Sequence, residues 1–112
     1  MESILKTVKK MLGLSAEDTS FDIDIIIHIN SVLATLNQIG VGVKNFTITS
    51  EGETWNDFLE ENRDLEQVKS YVYLKTRIAF DPPTGSALDS FKELAKELEW
   101  RLYTVQENKK DV

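Results

Sequence analysis

His28 is the only histidine, and the chain contains no cysteine. A Cys/His nucleophilic pair and a thiolate zinc site are therefore both excluded. A Ser/His/Asp triad would need distant partners that nothing in the sequence marks. His28 follows Asp24 by four residues, the spacing of an ordinary pair on one helix surface. The acidic stretch Glu51, Glu53, Asp57, Glu60, Glu61, Asp64 and Glu66 has Arg63 as its only counterweight. It lacks the alternating oxygen spacing of a calcium loop, so it reads as a solvated acidic surface. The functional alternative is repulsion of DNA phosphates, or a docking face for a basic partner. Gly40-Val41-Gly42 is too short for a phosphate-binding loop and follows a helical segment rather than a strand. No catalytic, cofactor-binding or metal-binding residue is assigned.

Side chains suited to contact are easier to find. Trp100 lies about 200° around its helix from Leu98, among Glu93, Lys96, Glu97 and Tyr103. An indole on a charged helix face points to a protein–protein contact, for which tryptophan and tyrosine are favoured anchors. The competing reading packs Trp100 under the loop from Val41 to Glu51. Phe46 and Ile48, on a β-branched alternating run, join Trp100 and Tyr103 as candidate interface residues. Trp55 and Phe58 are assigned to the core. Lys6, Lys9 and Lys10 read as a solvated helix face.

These residues need a scaffold, and the bulk numbers bound it. At 112 residues the chain is expected to be one domain, 1–112, with a core that needs neither metal nor disulfide. The lack of cysteine suits a reducing compartment. Thirteen basic against 19 acidic residues give a net charge of −6, which argues against wrapping nucleic acid. An acidic protein is nonetheless suited to letting DNA slide past. No apolar run approaches the roughly 20 residues of a membrane span. The start, Met1-Glu2-Ser3-Ile4-Leu5-Lys6, lacks the pattern of a signal peptide, so the chain is expected to be soluble and unsecreted.

The expected fold is all-α, a small bundle of four to five helices. Ser3–Leu12 forms a short helix stopped by Gly13. Phe21–Gly40 opens with strand-like alternation, but Ile25, Ile29, Val32, Leu36 and Ile39 are spaced 4, 3, 4, 3, which makes it a helix. Residues 43–50 predict a short β segment or an extended loop. As a lone strand it must either lie flat on the helices or pair with another chain. Thr54 and Asp57 form a capping box for a single-turn helix. Leu65, Val68, Val72, Ile78 and Ala79 give the next helix its buried stripe. Tyr71, Tyr73, Leu74 and Phe80 widen that stripe nearly all round, so the helix is sandwiched.

Phe80-Asp81-Pro82-Pro83 then ends that helix, because two prolines fix two φ angles and remove two N–H donors. Asp81, Pro82 and Pro83 make a rigid corner. A second long helix starts just beyond it, with Ser86 and Asp89 spaced as a capping box. Its stripe Leu88, Phe91, Ala95, Leu98, Leu102 and Val105 is spaced 3, 4, 3, 4, 3. A flexible polar tail is expected from about residue 106.

Taken in order, the strings Thr7-Val8-Lys9-Lys10-Met11-Leu12-Gly13, Asp24-Ile25-Ile26, His28-Ile29-Asn30-Ser31-Val32, Gly40-Val41-Gly42, Trp55 with Phe58-Leu59, Tyr71 with Tyr73, Phe80-Asp81-Pro82-Pro83 and Glu99-Trp100-Arg101-Leu102 form a recognisable series. Together they resemble the head–tail connector proteins of long-tailed bacteriophages and prophages, and are close to prophage versions in low-GC Gram-positive bacteria. The likeness runs from about Leu5 to Leu102 and carries no catalytic signature. It implies a non-enzymatic virion protein at the head–tail junction, made in the bacterial host cytoplasm. Such proteins assemble as a ring beneath the portal protein, extend the DNA channel without specific DNA binding, and present a surface to the next head-completion or tail protein. By this likeness the chain needs no cofactor and no membrane, and Lys44–Glu53 is an inter-subunit or partner loop. The alternative from the residues alone is a soluble acidic helical adaptor, or a DNA mimic that binds a protein partner.

Overall fold

A computed structural model describes residues 2–60 and 64–110, with side chains to residue 108. Five helices follow in order: α1 (Ile4–Met11), α2 (Asp22–Gln38), α3 (Trp55–Leu59), α4 (Leu65–Phe80) and α5 (Ser86–Lys110). The fold is an all-α bundle, as the periodicities predict. Glu61 and Arg63 of the acidic stretch, and Asp111-Val112 of the tail, lie outside the described residues.

The first backbone N–H groups of a helix have no partner inside it. Here α1 and α3 satisfy each other. Ser3 and Thr54 form an isolated antiparallel bridge. Ile4 N–H donates to the Glu53 carbonyl and Trp55 N–H donates to the Glu2 carbonyl, both at 3.1 Å. Side chains complete the caps. Ser3 accepts from Lys6 N–H, and Thr54 with Asp57 makes the expected capping box. The Trp55 indole donates to Thr7 Oγ1 at 3.1 Å, and Trp55 and Phe58 are buried.

Helix α4 is the centre of the bundle. It packs against α2 on one flank and α5 on the other, and those two make little contact with each other. It runs antiparallel to both. Phe80 at its end meets Phe21 at the start of α2, edge to face, at 5.5 Å. Arg77 in its last turn lies over Phe91 near the start of α5, while Tyr71, two turns earlier, donates a 2.8 Å hydrogen bond to Glu99 Oε2 midway along α5. Burial first, then that carboxylate, pushes the Tyr71 phenol far above its usual range, so it stays a proton donor. The buried stripe is Val68, Tyr71, Val72, Leu74 and Thr76. Ala79, expected in that stripe, is exposed, and Ile78 is half-buried.

Among the described residues no second strand pairs with residues 41–50. Instead two asparagines of α2, one on each side of the Leu33 turn, hold that segment flat. Asn30 donates to the Ile48 carbonyl and accepts from Ile48 N–H, at 3.0 and 2.8 Å. Asn37 donates to the carbonyls of Val41 and Val43 and accepts from Asn45 N–H. A side-chain amide offers the same donor and acceptor as a neighbouring strand, so the extended loop needs no β partner.

The corner is an irregular 81–85 segment. Asp81 N–H donates to the Arg77 carbonyl at 2.8 Å, and Arg77 Nε returns a 3.1 Å bond to the Asp81 carbonyl. The same guanidinium donates to Tyr73 Oη at 3.0 Å and lies 5.5 Å over the Phe91 ring of α5. Arg77 therefore ties both sides of the corner together, which a lysine could not do at all three points. Helix α5 begins on Ser86 itself, after Gly85 at φ 62, so Ser86 is its first residue rather than its cap. It continues to Lys110, past the point where the tail is expected to start. The Gln106 side chain lies against Gly40.

Candidate assembly surfaces

Among the described residues three clusters of apolar side chains face outward. The first is the one the sequence anticipates. Trp100 is 65% exposed and Tyr103 42%, and their rings pack at 6.2 Å on the side of α5 away from α4. Trp100 therefore does not lie under the loop from Val41 to Glu51. Thr104 Oγ1 donates to the Trp100 carbonyl at 2.8 Å.

Phe46 and Ile48 behave differently from expectation. Ile48 is 1% exposed, drawn inward by its pair of hydrogen bonds with Asn30, and offers a partner nothing in this conformation. Phe46 is half-buried against the Phe58 ring at 5.4 Å. The physical reason is the asparagine clamp, which satisfies the loop within its own chain. Asp81 and Pro82 are exposed and Pro83 half-buried, consistent with a corner that holds an angle.

The second cluster is absent from the sequence reading. Ile23 and Ile27 stand one turn apart on the outer face of α2, 75% and 57% exposed. Asp24 is exposed beside them, and Phe21 lies at the same end of the helix. Isoleucines surround α2 on nearly every side, so its periodicity could name the buried stripe without revealing which remainder stays wet. The third cluster is a groove of about 580 Å³ between α1, α4 and α5. Met11, Tyr73, Leu74, Leu94 and Leu98 line it, with Ser70, Glu97 and Arg101 at its rim. Leu94 and Met11 are both exposed.

Electrostatics separate these surfaces. A neighbouring trough shares Met11 and Ser70 with the groove and is lined by Lys6, Lys10 and Lys69 together with Glu2 and Glu66. Lys69 bonds Glu2 at 2.9 Å and lies 3.6 Å from Glu66. The hydrogen bond Lys69 donates to Glu2, and then the Glu2 charge, raise the Lys69 pKa. Lys9, expected on the solvated face, is buried. Its ammonium donates to the Asp18 carbonyl at 2.7 Å and lies 2.9 Å from Asp22 Oδ1. His28 meets the edge of the Phe80 ring at 6.4 Å, and this is the contact the structure gives it.

Among the described residues no group of three or more His, Asp or Glu side chains is arranged to hold a metal ion. No described helix is long and apolar enough to cross a membrane. What the arrangement offers is contact surface on a rigid frame. A family model described as phage connector protein matches residues 4–109 of the chain. No curated protein and no solved structure matches it.

Proposed function

Because the chain belongs to the phage connector protein family, a structural family of virion components, we propose that it is a head–tail connector subunit. In this reading copies assemble as a ring below the portal protein and extend the DNA channel. The ring then presents a docking surface to the next head-completion or tail protein. The family match carries the proposal, and it favours a virion role over a free acidic adaptor or DNA mimic. Two physical features support it. The net charge of −6 keeps DNA from adhering as it passes. The Arg77-braced corner fixes the direction of α5, so the Trp100–Tyr103 pair is presented at a defined angle.

Trp100→Ala tests the role of that pair. Exposed on its own chain, the indole contributes little to the monomer, so the substitution changes unfolding free energy by less than about 0.5 kcal/mol. If the indole anchors a contact in the assembled particle, its removal weakens capture on portal protein by about 2 kcal/mol, the scale of a buried tryptophan anchor. Melting of the isolated chain and pull-down on portal protein measure the two effects. A melting point lowered by several degrees with capture unchanged would make Trp100 a structural residue instead.

A further inference from the structure

A ring requires two different faces on each subunit, since one self-complementary patch closes a dimer and goes no further. The surface supplies such a pair. The ridge of Ile23 and Ile27 is convex, carried on a single helix, and its residues are spaced i, i+4 like the anchors of a helix seated in an apolar groove. The groove of Met11, Tyr73, Leu94 and Leu98 is concave and of matching character. The ridge is on the face of α2 turned away from α4, while α4 forms one wall of the groove, so one copy cannot close on itself.

Charge favours the same match. Asp24 flanks the ridge and has no ion-pair partner among the described residues. Lys10 lies beside Met11 at the groove's end and likewise has none. Arg101 at the other rim is already held by Glu97 at 2.6 Å. Seating the ridge so that Asp24 approaches Lys10 would pair two unpartnered charges and cover both apolar surfaces. The Trp100–Tyr103 face plays no part in this contact.

Resting on the connector reading, we infer that the α2 ridge of one copy docks head-to-tail in the α1–α4–α5 groove of the next. The lateral contact of the ring is then Ile23 and Ile27 against Met11, Leu94 and Leu98. The Trp100–Tyr103 pair is left free for a different protein.

The natural chain has no cysteine, so I27C/L94C carries the only two thiols and can report this contact directly. With portal protein present, mild oxidation is expected to give a ladder of trimers and larger species in denaturing gels. I27C or L94C alone gives no ladder. Ile27→Asp is expected to weaken self-association at least about tenfold, from the lost burial of one isoleucine. D24K lowers the ladder yield severalfold, and K10E in the same chain restores it. Dimers from I27C alone would show a symmetric contact and overturn the inference, as would the absence of any cross-link. Rings seen by electron microscopy without cross-linking would defeat this contact and leave the connector reading standing. A ladder from a chain that never captures portal protein would do the reverse.

Discussion

Gly42→Ala is expected to destabilise the fold by about 2–5 kcal/mol, a large share of the 5–15 kcal/mol that holds a domain together. Two costs add. Gly42 has φ +82, where a Cβ costs about 1–2 kcal/mol. The added Cβ would also lie 2.3 Å from Phe58 Cε1 and Cζ, well inside contact distance. The ring cannot move aside. Phe58 is fully buried, it packs against Phe46 at 5.4 Å, and its own carbonyl accepts from Val43 N–H at 2.9 Å. Overpacking of this kind costs about 1–3 kcal/mol or more. Gly85→Ala separates the two terms, since Gly85 has φ +62 with nothing within 4 Å of the added atom. It should lose only the backbone part. Urea unfolding of both variants measures the difference, and a Gly42→Ala loss no larger than that of Gly85→Ala would contradict the packing.

Lys9→Ala is expected to cost about 3 kcal/mol, although lysine is the residue most readily dismissed as surface. Its side chain is 4% exposed and that of Asp22 24%. Asp22 Oδ1 is buried with no hydrogen-bond donor, and its counter-charge is the Lys9 ammonium at 2.9 Å. The same ammonium holds the carbonyl of Asp18 and, at 3.4 Å, that of Ala16, so it pins the loop between α1 and α2. Removing one partner of a buried pair strands the other, which is costlier than never having had the pair. A second change, Asp22→Asn in the Lys9→Ala background, should therefore recover part of the loss. Chemical denaturation of the single and double variants provides the cycle. If Lys9→Ala falls within 1 kcal/mol of the natural chain, the ion pair is not buried in solution.

The contrast between these sites shows what a sequence can reveal here. Helix positions follow from period, caps and breakers, all local: the Thr54–Asp57 box and the Pro82-Pro83 stop act over a few residues. The apolar girth of α4 foretells its place between α2 and α5, because nothing else would keep Tyr71 and Leu74 from water. Lys9 is different. Its burial depends on carbonyls seven and nine residues away that return over it, and the charge pattern Lys6, Lys9, Lys10 looks the same either way. The clamp of Asn30 and Asn37 is likewise tertiary, and it explains why Ile48 turns inward. On the candidate surfaces, Trp100 stands out because its neighbours on α5 are charged. Ile23 and Ile27 do not, because α2 holds more isoleucines than one face can bury.

The connector assignment is tested most directly by incubating the chain with portal protein and viewing the product by negative-stain electron microscopy. A ring-shaped layer added below the portal is the expected result. A chain that leaves portal particles bare, and instead titrates a DNA-binding protein away from DNA, would contradict it.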